Sequence, residues 1–289
     1  MQIPGLRGLS PMALIKESVK EFLDDDMMTY ASALSYQVFF SIFPFVIFLI
    51  ALLGFLHMPE LFTWIREQAT YILPKEAMDE VNNVIDHIQQ PQGGLLSFGM
   101  IFALWTASAA VRATMNAMNA AYDVKEGRPA WKLYPMSLVY TIGIATMLVA
   151  AGALMLIGPQ VIAWLAQQIG FEQFFVTLWA WLRWPVVLVL LTLAVAVVYY
   201  VAPDVEQSFK FITPGAALCV LVWIAAALAF NYYVRNFADY NATYGSIGTI
   251  IVLLSFFFIS SLILLFGAEV NAVIEHHAAE GKNPGDKKM

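Results

Sequence analysis

The stretch that decides the fold is Tyr244–Asn271, YGSIGTIIVLLSFFFISSLILLFGAEVN. From Tyr240 to Ala268 the chain holds no Asp, Glu, Lys or Arg. A helix that crosses a bilayer needs about 20 apolar residues, so this segment is long enough to span one. Other windows share its character: Thr29–Leu56, Ile88–Val111, Leu133–Phe171, Trp184–Pro203 and Phe211–Val234 are also free of charge. Of 289 residues, 60% are hydrophobic and 12% charged, against roughly 45–50% and 25% in soluble domains. A chain of this size has too much exterior to hide that apolar surface from water. A soluble enzyme, a DNA-binding protein and a disordered chain are therefore excluded. The net charge of −6 argues against a nucleic-acid partner. The single Cys leaves neither a disulfide framework nor a Cys-based zinc site.

The windows predict an all-α polytopic membrane protein with six transmembrane helices, at about 29–56, 95–122, 135–158, 180–202, 212–234 and 245–274. The long window from Leu133 is punctuated by Gly158-Pro159, and Gln160–Phe171 is too short and polar to cross. That piece reads as an interfacial helix or a re-entrant turn. Pro135, Pro185 and Pro214 fall near expected helix starts, and Pro159 and Pro203 at ends. Pro44 sits inside the first span, where it frees the carbonyl of Phe40 and kinks the helix.

Residues 1–28 form an expected cytoplasmic region with an amphipathic surface helix, Pro11–Phe22, whose apolar face is Ile15, Val19 and Phe22. Residues 29–274 form the transmembrane domain. Within it, 59–90 reads as an extracytoplasmic amphipathic helical element with six acids against two bases. Residues 275–289 are a polar tail. Orientation follows from Lys and Arg. Arg7, Lys16, Lys20, Lys125, Arg128, Lys132, Lys210, Lys282, Lys287 and Lys288 fall on one side. Arg66, Lys75, Arg183 and Arg235 fall on the other. The positive-inside rule then makes both termini cytoplasmic, in agreement with an even number of spans. The aromatic run from Phe174 to Trp184 belongs to the outer interface. Asp24–Asp26 before a span of this length argue against a cleavable signal.

The second span is polar on one face: Trp105, Ser108, Arg112, Asn116, Asn119 and Asp123 recur at helical spacing. Lipid cannot solvate such a stripe, and an Arg near the bilayer centre costs roughly 2.5–3.5 kcal/mol on insertion scales. The sixth span carries Glu269, followed by Asn271. Arg112 and Glu269 lie at similar depth, so an ion pair is expected; it serves either as a structural lock or as a functional latch. Ser35 and Tyr36 add a polar face to the first span, explained by close packing or by a pathway. Gly245 and Gly248, with Pro44, are candidate hinges. No metal ligand set and no cofactor motif stands out.

Together these motifs resemble the YihY family, also called the virulence factor BrkB family, of bacterial inner-membrane proteins. The matching stretches are Ala31–Pro44, Leu104–Ser108 with Asn116, Asn119 and Tyr122–Val124, then Arg128 and Trp131, Tyr244–Gly248, and Gly267–Asn271. The resemblance runs from about residue 15 to 275. It implies six helices with cytoplasmic termini and a place in the inner membrane. Members are linked to serum resistance and, by proposal, to export or lipid movement; an older label, ribonuclease BN, attaches to many. A hydrolytic ribonuclease needs a metal cluster or a His-based acid–base pair in a basic cleft. His57, His87, His276 and His277 supply none of these, and no catalytic constellation emerges elsewhere.

The expected function is therefore a transporter, exporter or lipid flippase, acting on an unidentified solute or lipid. Its candidate pathway residues are Ser108, Arg112, Asn116, Asn119, Asp123, Glu269, Asn271, Ser35 and Tyr36. The alternative is a non-transporting envelope scaffold that holds partners through 59–90 and the surface helix. The bilayer is the one partner the composition requires; a homo-oligomer is open.

Overall fold

The computed structural model describes residues 10–55, 93–156, 172–206, 213–237 and 246–278, with the single positions 63, 66, 78 and 82. The described residues form seven long helices and no strand. They are α1 (Pro11–Asp24), α2 (Met27–Phe55), α3 (Gly93–Ala121), α4 (Ala130–Leu156), α5 (Glu172–Val201), α6 (Pro214–Phe237) and α7 (Ser246–His277). Five segments are long and apolar enough to cross a membrane: Ser97–Ala121, Ala130–Gly152, Phe174–Val201, Pro214–Val234 and Ile250–His277. The first expected span is the continuous 29-residue helix α2, whose side chains beyond Phe45 lie outside the described residues. So do most of the 59–90 element, the Gln160–Phe171 piece, Gly245 and the tail beyond Ala278.

Local chemistry sets the helix ends. Ser10 caps α1 by accepting the Ala13 N–H at 3.1 Å, with Pro11 in the first turn. Asp26 has φ 54° between α1 and α2, a conformation that Asp accepts more readily than most residues. Asp123, also at φ 54°, stops α3. Its N–H donates to the Ala120 carbonyl and that of Val124 to the Asn119 carbonyl, both at 2.9 Å. This is a Schellman ending, with Asp where Gly is commoner. Two prolines sit differently from expectation. α4 begins at Ala130 and α5 at Glu172, so Pro135 and Pro185 lie inside helices. The helices extend past the apolar windows into polar flanks, and membrane helices tolerate an interior Pro. Pro214 does open α6.

Two compact units are present. Residues 37–107 make the smaller one. In it Phe39 and Phe43 meet edge-to-face at 5.4 Å, Phe98 stacks on Phe102 at 5.7 Å, and the hydroxyl of Thr106 donates to the Phe102 carbonyl at 3.0 Å. The larger unit, residues 1–36 and 108–289, holds the core. There α6 packs on α7, α4 on α5, α5 on α6 and α1 on α7. Gly215 of α6 and Gly267 of α7 let their helices cross closely: a Cβ on Gly215 would run into the Gly267 carbonyl oxygen. The Tyr199 hydroxyl, buried, donates to the Leu264 carbonyl at 2.6 Å. Val139, Ile142, Val189, Leu221 and Leu228 point outward. In water such faces aggregate; in a bilayer they meet acyl chains.

The predicted apolar face of α1 divides. Phe22 turns inward and meets Phe266 edge-on at 6.0 Å. Met12, Ile15, Val19 and Leu23, beside it on the helix, stay exposed. Docking against α7 requires an inward face, which α1 supplies from its polar side.

Candidate functional site

That inward side builds a pocket. Glu17, Glu21 and Asp25 recur at four-residue intervals and so share one face of α1 and its first residue beyond. They line a cavity of about 270 Å3. Asp123, just past α3, closes one edge; Glu269, His276 and His277 of α7 close another, with Ala121, Ala272 and Val273 as apolar wall. Among the described residues, no Lys or Arg lines it. His277 Nε2 stands 3.6 Å from a Glu17 oxygen, and Lys20, outside the pocket, reaches Glu21 at 3.5 Å and Asp24 at 3.2 Å.

Glu269 is the unusual member. It is 1% exposed, and neither carboxylate oxygen has a hydrogen-bond donor. A buried charge without a partner is costly, and this one sits within a membrane-spanning segment. The Asp25 carboxyl lines the same pocket, but no hydrogen bond joins it to Glu269. Burial pushes the Asp25 carboxyl up, and the Asp123 and Glu21 carboxylates push it further, to about 6.

The stripe on α3 is split among several environments. Ser108 is fully buried. Arg112 donates to the Ser108 hydroxyl at 2.8 Å and the Ser137 hydroxyl at 3.1 Å, and its guanidinium lies 4.5 Å from the centre of the Tyr134 ring. The expected Arg112–Glu269 pair is not made, since no donor reaches the Glu269 oxygens. Similar depth was the basis for expecting it, but depth does not fix which way each side chain faces. Trp105, Asn116 and Asp123 are exposed, as is Tyr36 on α2, while Ser35 is buried and donates to the Ser32 carbonyl at 2.8 Å. Gly248 is buried near the start of α7.

Asn119 and Asn271 lie in the same unit, each with a defined partner set. Asn119 donates to Glu126 at 3.0 Å and accepts the Asp204 N–H at 2.7 Å. Arg128 grips Glu126 with two nitrogens, at 2.7 and 2.6 Å, and donates to the Ala202 carbonyl at 2.9 Å. Burial works to raise the Glu126 carboxyl, but hydrogen bonds from Arg128 and Asn119 outweigh it and hold the carboxyl below its ordinary range. This clamp ties the end of α3 to the end of α5. Asn271 accepts the Gly215 N–H at 2.9 Å and donates to Thr213 at 3.0 Å, and so secures the start of α6 against α7. Sequence reasoning did not find Glu17, Glu21, Asp25, Glu126 or Asp204. For the first three, the four-residue spacing was a usable signal. For the other two, the partners lie across the fold.

The chain is similar to known proteins along nearly its whole length. The family model described as virulence factor BrkB matches residues 18–289. A Bacillus subtilis protein named as ribonuclease-like, YfkH, is 33% identical over 91% of this chain and 95% of its own length. A UPF0761 membrane protein of Chromohalobacter salexigens is 26% identical over 89% of this chain. One from Xanthomonas campestris is 23% identical over 87%. The chain spans only 62% and 58% of those two relatives. No solved structure matches. The apolar helices and the family match agree: this chain belongs to the virulence factor BrkB family of membrane proteins.

Proposed function

We propose that the protein is a transporter of the bacterial inner membrane, moving a solute or lipid, and that the acidic pocket around Glu269 is its cytoplasmic loading site. The observation that carries this reading is Glu269 itself: deeply buried, lining a cavity, and without a donor for either oxygen. A purely structural carboxyl at that depth would be paired, as Glu126 is by Arg128. Ionisable groups kept inside spans without such a partner mark pathways more often than supports. We further infer six spans, with α2 as the first, and both termini in the cytoplasm from the distribution of Lys and Arg. The apolar stripe Met12, Ile15, Val19 and Leu23 then rests on the inner leaflet.

The name of the Bacillus relative raises nucleic-acid cleavage. The pocket argues against extending it to this chain, because a cavity lined by five carboxyl groups repels a phosphate backbone. The transport reading is tested in proteoliposomes with two arms, uptake of a panel of organic ions and flipping of a fluorescent phospholipid. One arm should exceed protein-free vesicles and fall about tenfold or more in Glu269→Gln. Background flux in both arms, or undiminished flux in the folded variant, would reject the assignment.

A further inference from the structure

We propose that the pocket binds a primary ammonium group, carried by a small organic cation. This rests on the reading of the pocket as a loading site and names what it loads. Among the described residues, three carboxyl groups of the lining have no Lys or Arg partner: Asp25, Asp123 and Glu269. They approach from three elements, the end of α1, the end of α3 and the body of α7. A primary ammonium presents three N–H donors and no acceptor. The chemistry matches one for one. An acidic patch on a solvated surface would leave its carboxylates hydrated. Here Glu269 is 1% exposed, and neither of its oxygens has a donor among the described residues.

Two further observations narrow the class. The cavity, at about 270 Å3, has room for about nine waters at roughly 30 Å3 each, more than a bare ion fills. Ala121, Ala272 and Val273 give methylene groups an apolar wall. Among the described residues, no group of three or more His, Cys, Asp or Glu is arranged to hold a metal ion. With five carboxyl groups and no Lys or Arg among the described lining residues, the pocket disfavours a phosphate or carboxylate head.

Binding also moves a proton. Asp25 and Glu269 line the same pocket and interact electrostatically, and neighbouring carboxyl groups resist ionising together, so the pair keeps a proton. The ammonium N–H groups replace it, and that proton leaves to water, so one cation enters as one proton departs. The groups that face Glu269 and contribute to this balance are Glu17, Glu21 and Asp25 from α1, with Lys20 beyond them. From the α3 end they are Tyr122 and Asp123; from α7 they are Glu275, His276 and His277.

The test is calorimetric titration of butylammonium into the full chain in phosphatidylcholine nanodiscs, in two buffers of different protonation enthalpy. Saturable binding with proton release is expected, and tetramethylammonium, which has no N–H, should bind about tenfold or more weakly. Glu269→Gln should lose about tenfold or more, and so should Asp123→Asn. The second variant guards against misfolding, since Asn accepts the φ of 54° at that position. No butylammonium binding, equal binding of the two cations, or wild-type affinity in Asp123→Asn would overturn the proposal. Binding without flux in liposomes would keep the site and end the transport reading. Flux without butylammonium binding would do the reverse.

Discussion

Two carboxyl groups of the larger unit, Glu126 at partial burial and Glu269 fully buried, are treated in opposite ways. Glu126 is held by a bidentate Arg128, by Asn119 and by a backbone N–H. Glu269 has no donor among the described residues. The first has the pattern of a carboxylate that supports the fold: every lone pair faces a donor, and its charge is matched. The second leaves the fold with an unmet requirement inside a membrane-spanning helix. Side chains that a protein needs only for stability are not kept this way, so the contrast separates a clamp from a site.

The largest effect should come from breaking the clamp. Arg128 and Glu126 side chains are only 12% and 21% exposed. Arg128→Ala strands a largely buried carboxylate and should cost about 3 kcal/mol of stability, with any transport lost in proportion to folded protein. Thermal denaturation in detergent measures it; an unchanged Tm would remove the clamp from the account. Glu269→Gln should behave in the opposite manner, with unchanged or raised Tm and flux reduced about tenfold or more.

Asp25→Asn sharpens the comparison through pH. The folded Asp25 carboxyl is raised to about 6 from an ordinary 3.8. A group raised in the fold favours the folded state when protonated, so its stabilisation is present below about pH 4 and is lost as pH rises through about 6. The variant should therefore melt higher than wild type at pH 7, by roughly 2–4 °C after allowing for solvent screening, and equal it near pH 4. A Tm difference that does not change with pH would show that Asp25 sits in ordinary surroundings. The smallest effect belongs to Lys20→Ala. Its links to Glu21 and Asp24 lie on the exposed side of α1, where ion pairs add little. No measurable change in Tm is expected; a clear drop would mean that Lys20 stabilises the α1–α7 contact.

The spans were legible because charge is so scarce that its gaps delimit helices. The start of α6 was legible from Pro214, and the polarity of α3 from its repeat. What the repeat could not convey was destination. Asn119 and Asp204 are 85 residues apart, and so the clamp is invisible to periodicity. Asn271 is explained by Gly215 and Thr213, which precede it by more than 50 residues. Arg112 turns to hydroxyl groups on α3 and α4 and a Tyr ring, a choice of direction that depth alone does not determine. In α1 the acids are visible in the sequence, but an amphipathic surface helix gives them no destination. Only the packing of α1 on α7 turns Glu17, Glu21 and Asp25 toward Glu269.

The central claim is that Glu269 is kept for function and not for folding. The most direct measurement is paired: flux in proteoliposomes and Tm in detergent, for wild type and Glu269→Gln from the same preparation. The account predicts flux lower by about tenfold or more at an equal or higher Tm. Wild-type flux at an unchanged Tm would contradict it.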